Sequence, residues 1–153
     1  MQETGSSNIR EATQEDLFEL LMLGYEFIKE CPDHMKPFEK DVMEERLSNI
    51  IASEDGEVFV LEKDGEIQGL LVAMCSSPWM LSKKFGLELG LYIRKSARDG
   101  RGVIKLIKHY EAWAKSKGVT QVHMSDLSKL QNLSKLYERL GYSLIETNYI
   151  KEV

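Results

Sequence analysis

Between Leu87 and Gly118 the recurrence of apolar residues changes from the period of a strand to that of a helix, which leaves few ways to fold the stretch. Leu87, Leu89, Leu91 and Ile93 alternate with Glu88, Gly90 and Tyr92, a pattern that sets Glu88 and Tyr92 on the face opposite the leucines. Val103, Leu106, Ile107, Tyr110 and Ala114 then recur at helical spacing, and the switch falls on Arg98 to Gly102. A strand feeding a Gly-containing turn into a helix presents unpaired N–H groups and the positive end of the helix dipole, which suits a phosphate or pyrophosphate. An ordinary strand-to-helix connection is the other reading. Gly90, with no side chain to pack, suits a bulge or the close approach of a ligand. Glu88 is the one acid in the strand. Among apolar neighbours its pKa should rise into the range of a general base; the alternative is a solvated carboxylate at a strand end.

The 153 residues, 42% hydrophobic and 29% charged, suffice for one domain around one sizeable core. Residues 1–7 read as a flexible polar N-terminus and 8–153 as the domain. No apolar run reaches the roughly 18 residues of a membrane span, and MQETGSSNIREA lacks the basic and apolar regions of a secretory leader. The expectation is a soluble, cytoplasmic protein. Cys31 and Cys75 are far apart and fit no metal spacing, so neither a disulfide nor a metal is expected. A net charge of -5 argues against nucleic acid and favours a basic acceptor such as an amine. Lys105, Lys108, Lys115 and Lys117, interrupted by Glu111, read as the solvated face of a helix.

Along the chain, Asn8 to Ala12 can form a short edge strand, and Thr13 with Asp16 has capping-box spacing ahead of a helix carrying Leu17, Leu20, Leu21, Gly24 and Ile28. Pro32 ends it. Val42, Met43, Leu47, Ile50 and Ile51 mark a second helix, and Cys31 to Phe38 connects the two. Val58 to Leu61 and Ile67 to Cys75 read as strands covered on both faces, joined at Asp64-Gly65. Trp79 and Met80 lie in the following loop; they either tuck onto their own domain or wall an acceptor pocket. Val119 to Met124 reads as a strand. Ser128-Lys129-Leu130-Gln131 has capping-box spacing before a helix with Leu133, Leu136, Tyr137 and Leu140 that Gly141 stops, and Leu144 to Lys151 supplies closing strands.

Leu91-Tyr92-Ile93, then Arg98 and Gly100, followed by a helix ending in EAWAKSKG, resembles motif A of the GCN5-related N-acetyltransferase (GNAT) family. LYERLGY, Leu136 to Tyr142, is the strongest local resemblance to the same family, and the chain also resembles a branch of short acetyltransferases found in phages and bacteria. The resemblance implies an α/β (mixed α+β) GNAT fold: a mostly antiparallel mixed sheet of six to seven strands flanked by about four helices. It implies an N-acetyltransferase that moves acetyl from acetyl-coenzyme A directly to a primary amine of a small molecule or peptide. Leu91, Tyr92 and Ile93 would hold the pantetheine arm, and Arg98, Asp99, Gly100, Arg101, Gly102 and Val103 the pyrophosphate, with Asn132 a further coenzyme contact. Tyr137 would protonate the leaving thiolate, Glu88 would act as base, and His34, Trp79 and Met80 would border the acceptor. Homodimers are frequent in the family. The turn departs from the family pattern, which counted from Arg98 wants small residues where Arg101 and Val103 stand. The asparagine often found seven residues before the tyrosine is Leu130 here. A catalytically silent binding or regulatory protein on the same fold is the alternative that these departures motivate.

Overall fold

The computed structural model describes residues 7–127 and 132–153. Five strands form one mixed sheet in sequence order: β1 (Asn8–Glu11), β2 (Gly56–Lys63), β3 (Glu66–Ser76), β4 (Phe85–Ile93) and β5 (Val122–His123). The first four pair antiparallel and β5 runs parallel to β4. Among the described residues four α-helices flank it: α1 (Leu17–Glu30), α2 (Lys40–Ala52), α3 (Arg101–Ser116) and α4 (Ser134–Arg139).

Local chemistry accounts for most boundaries. The Thr13 N–H donates to the Asp16 carboxylate at 2.7 Å ahead of α1, and Pro32 follows α1 within two residues. Asp64 and Gly65 both take positive φ, as a tight hairpin between β2 and β3 requires. Gly141, at φ 94°, stops α4. The Ser128 to Gln131 cap expected from sequence lies outside the described residues.

Each central strand buries both faces, which explains the continuous apolar runs of β2 and β3. On one side Phe59, Leu61, Leu71 and Ala73 pack with Leu106, Ile107, Tyr110, Trp113 and Ala114 of α3. On the other, Val58, Val60, Leu70, Val72 and Tyr92 pack with Leu20 and Leu23 of α1 and Leu47 of α2. Burial of such side chains contributes about 1.5–3 kcal/mol each.

Three expectations need correction. The sheet has five strands among the described residues, not six to seven, because Leu144 to Lys151 forms no strand and every residue from 143 to 153 is exposed. The Val119 to Met124 strand shrinks to Val122–His123. The alternation in β4 also fails. Val72 pairs with Gly90 and Ala73 with Glu88, so Leu89 is an extra residue, half exposed at 52%. That bulge reverses which face each later residue takes. Glu88 therefore shares the α3 face with Ala73, while Tyr92 lies opposite, against Phe27 of α1.

Gly86 sets how closely β4 meets its neighbours. A Cβ there would sit 2.9 Å from Val122 Cγ1, 3.2 Å from Ala114 Cβ and 3.2 Å from the Tyr110 hydroxyl. Gly86→Ala should therefore destabilise the protein by about 1–3 kcal/mol, read as a lower midpoint in denaturant at an unchanged slope; an unaltered midpoint would show that β5 can move aside freely.

Candidate functional site

Among the described residues β4 and β5 are paired only at Gly86 with Val122 and Leu87 with His123. Beyond those pairs the strands part. A pocket of about 120 Å³ opens in the gap, floored by the bulge residues Glu88, Leu89, Gly90 and Leu91. Ser125, Asp126 and Leu127, which follow β5, form the facing wall with Leu133. Phe27 of α1 and Met35 of the connector close a third side.

The main chain explains why the gap can receive an amide-bearing ligand. Arg94 N–H donates to Gln68 C=O on β3 at 2.8 Å, so strand alternation turns the groups of Tyr92 toward β3 and those of Leu91 and Ile93 toward the gap. β5 no longer reaches them.

The backbone of one residue, Ser125, is the unit that ties the catalytic candidates together. Ser125 N–H donates to Glu88 Oε1 at 3.1 Å, and the Tyr137 hydroxyl donates to Ser125 C=O at 2.9 Å. Both side chains reach this unit because the bulge points Glu88 to the α3 face and α4 carries Tyr137 against the same core. Removal from water pushes the Glu88 carboxyl up to about 7, opposed only in part by the Ser125 N–H. The Tyr137 phenol is also pushed up, first by burial and then by the charges of Glu88 and Asp126, so it stays protonated at neutral pH. Tyr110 of α3 fixes the adjacent unit by donating to His123 C=O at 3.0 Å.

Asp126 was not singled out in the sequence. Its Oδ2 accepts from Leu133 N–H at 3.2 Å, whereas Oδ1 is buried without a hydrogen-bond partner among the described residues. A buried carboxylate oxygen without a donor is costly. A cationic or N–H-bearing ligand in the pocket would relieve that cost. Its position just past the C-terminal end of a parallel strand was the available signal.

The turn after β4 is already occupied by the protein's own carboxylates. Gly100 has φ 80°, and Asp99 Oδ1 accepts the N–H groups of Arg101 at 2.9 Å and Gly102 at 3.3 Å at the start of α3. Those two donors hold the Asp99 carboxyl below its ordinary range. Arg98 donates through Nε to Ile93 C=O at 2.6 Å and through one amino group to both Glu30 oxygens at 3.2 Å. Glu30 also accepts from the Tyr92 hydroxyl and lies 3.7 Å from Lys95 Nζ. Arg101 is exposed, Gly102 is buried where a Cβ would fall 2.6 Å from the Leu61 side chain, and Val103 packs against the α3-side core.

The structure thus brings Glu88 and Leu91 to the pocket wall, with Tyr137 buried behind that wall and joined to it through Ser125 C=O. It does not bring the others into the pocket wall. Tyr92 points to the α1 face, and exposed Asn132 accepts from Ser134 at 3.1 Å. Trp79 is 94% and Met80 59% exposed, and His34 is exposed beside the pocket residue Met35. Phe27 and Met35 were missed because helical and connector spacing does not tell which strand a side chain will face.

A sequence model described as the Acetyltransferase (GNAT) family matches residues 15–142. Aminoglycoside acetyltransferase AAC(6')-Iy, solved with the bisubstrate analogue CoA-S-monomethyl-acetylneamine, superposes with a TM-score of 0.78 at 17% identity, covering 97% of this chain and 98% of that one. Ribosomal-protein-alanine N-acetyltransferase from Brucella melitensis biovar Abortus 2308 does so at 0.77 and 14%, covering 97% and 99%. Aminoglycoside antibiotic 6'-N-acetyltransferase AAC(6')-Ih from Acinetobacter baumannii does so at 0.76 and 16%, again covering 97% and 99%. At these identities the likeness is one of fold. No curated protein sequence matches the chain.

The raised Glu88 carboxyl has a measurable consequence for stability. With a folded pKa of about 7 above the ordinary 4.5, its protonated form favours the folded state, so this contribution is complete below pH 4.5 and lost as pH rises through 7. Glu88→Gln should remove that loss: the variant gains about 3 kcal/mol relative to wild type between pH 4.5 and pH 8 in denaturant titrations. Parallel pH profiles would place the carboxylate in water.

Proposed function

The chain belongs to the GNAT acetyltransferase family, whose acetyl donor is acetyl-coenzyme A, and on that premise we propose that it transfers acetyl directly to a primary amine of a small molecule or peptide. The observation that carries this reading is the Ser125 backbone, whose N–H is held by a base candidate with a pKa of about 7 and whose C=O is held by a protonated phenol. The gap between β4 and β5 fits the donor: it is apolar along Phe27, Leu91 and Leu133, and its β4 edge presents the main chain of Leu91 and the N–H of Ile93, whose C=O already accepts from Arg98. The donor supplies an acetyl group activated as a thioester.

The residues divide the remaining work. Leu91 and Ile93 hold the arm through backbone groups and place its reactive end near the bulge. Glu88, directly or across one water, takes a proton from the acceptor ammonium and frees the nitrogen lone pair for attack. Tyr137 gives its phenolic proton to the departing thiolate as the new C–N bond replaces C–S, and the second proton that the attacking nitrogen sheds restores the phenol by way of solvent. Asp126 Oδ1 and the Glu88 carboxylate give the acceptor side a negative character that suits a cationic amine. Positioning both substrates supplies much of the rate in such a transfer. Amine acceptors also fit the printed names of the similar solved proteins, which are aminoglycoside and ribosomal-protein-alanine acetyltransferases.

A second reading keeps the fold without the chemistry. Asp99 and Glu30 favour it, since they already occupy the α3 amides and the Arg98 guanidinium where a pyrophosphate would lie.

In a thiol-release assay on the acceptor that turns over, kcat/KM should rise through pH 7 and level off above it, following ionisation of Glu88. Glu88→Gln should abolish that limb and lower kcat by about a hundredfold or more; Tyr137→Phe should lower kcat similarly with the limb intact. Both variants turning over like wild type would refute the assigned roles.

Arg98→Ala should weaken acetyl-coenzyme A binding about tenfold in calorimetry, the loss of one charge-assisted contact. Failure of the wild-type protein to bind the donor would select the silent reading.

A further inference from the structure

α1 is more apolar than a helix that packs on one side needs to be. Nine of its fourteen residues are apolar, yet only Leu20, Leu21, Leu23 and Gly24 are buried. On the opposite face Phe18, Met22 and Tyr25 recur at i, i+4 and i+7, and they are 73%, 53% and 49% exposed. Single apolar side chains are ordinary on a protein surface; three large ones along two turns of one helix make a patch. Tyr25 is held in place before any partner arrives. Its ring meets Phe38 edge-on with 5.5 Å between centroids, and Lys29 Nζ lies 5.0 Å from its own centroid. Aromatic and methionine side chains are enriched at interface centres, and one already fixed loses little freedom on contact.

The charge around this stripe gives the sign of its partner. Residues 14–54 hold eleven acids against four lysines and arginines, a net charge of -7 against -5 for the whole chain, so the rest of the chain is net positive. Asp16, Glu26 and Glu30 are answered by Arg10, Arg94 and Arg98 from outside the helical hairpin. Glu15, Glu19, Glu39 and Glu45 are exposed and have no ion-pair partner among the described residues. Glu15 precedes Phe18 by three residues and Glu19 precedes Met22 by three, which sets both beside the stripe.

We propose that the outer face of α1 docks a basic amphipathic helix of another protein, with Phe18, Met22 and Tyr25 in the apolar seam and Glu15 and Glu19 along its rim.

A helix has the matching shape. The stripe spans roughly 10 Å, and a second helix laid along it sets its apolar ridge into the grooves between these side chains. Buried aromatic anchors supply most of the affinity in such a contact, while rim acids facing lysine or arginine steer the approach. Sign disfavours the other occupants. Nucleic acid and anionic lipid carry the hairpin's own charge, and a second copy of this chain brings the same acids to the same face. The patch is also separate from the pocket, whose wall takes only Phe27 from α1, so docking stands apart from acetyl transfer.

The test titrates the full chain with a synthetic peptide of roughly 18 residues, leucine at helical spacing and lysine elsewhere. It should bind with a Kd of about 10 µM or below, with amide shifts centred on residues 18–25, and the double variant Phe18→Gln, Met22→Gln should bind it about tenfold or more weaker. A peptide of the same composition scrambled to leave no apolar face, and one with glutamate for lysine, should each bind about tenfold or more weaker than the basic helix. Equal binding of the scrambled peptide, shifts centred elsewhere, or an undiminished double variant would each overturn the proposal. So would a wild-type dimer that the double variant dissociates, since the face would then belong to a second copy. If the double variant does not fold, the shift map and the scrambled peptide on the wild type decide the question.

Discussion

One residue without a partner, Leu89, determines what the rest of the site can do. Up to Ala73 and Glu88 the β3 and β4 ladder runs in one phase; from Val72 and Gly90 onward it runs in the other. Had the strands stayed in phase, Glu88 and Tyr92 would share a face and the acid would lie among the α1 residues, far from Tyr137. With the bulge, Glu88 turns to the α3 side, while Leu91 and Ile93 still reach the core beneath α3. The same insertion bends β4 just where β5 stops pairing with it. Direction of the carboxylate and opening of the gap therefore share one cause.

Around that gap the protein spends hydrogen bonds on main chain rather than on side chains. Tyr110 holds His123 C=O, Tyr137 holds Ser125 C=O and Glu88 holds Ser125 N–H, so three side chains substitute for the ladder that β5 lacks. Their burial keeps both phenols protonated and makes the Glu88 carboxyl hard to ionise. The pattern leaves the pocket wall firm on the strand side and one carboxylate oxygen, Asp126 Oδ1, without a donor among the described residues. At the other end of β4 the balance is opposite: Glu30 and Asp99 neutralise the Arg98 guanidinium and the first α3 amides, so any phosphate there must compete with groups already in place.

How much of this could be read in advance differs by residue. The order of strands and helices from Asn8 to Ser116 followed from periodicity, from the Asp64-Gly65 turn and from Pro32, because each is a local signal. Glu88 stood out as an acid in an apolar strand, and Tyr137 through the resemblance of Leu136 to Tyr142. Phe27, Met35 and Asp126 were not, since each joins the pocket through a contact between elements distant in the chain. Leu144 to Lys151 has the composition of closing strands, but propensity does not supply a pairing edge, and among the described residues that segment finds none.

The sequence by itself determined the strand, turn and helix periods, the hairpin, the apolar faces that make a two-sided sheet, and the kinds of side chain available for proton transfer. These are short-range properties, set by side-chain chemistry and backbone preference over a few residues. Only the tertiary structure decided which face Glu88 takes, where β4 and β5 part, that Ser125 joins the acid to the phenol, and that the Arg98 turn is paired with Glu30. Each of those depends on register across the sheet or on contacts more than ten residues apart, and a shift of one residue in register is invisible to periodicity yet exchanges the two faces of a strand.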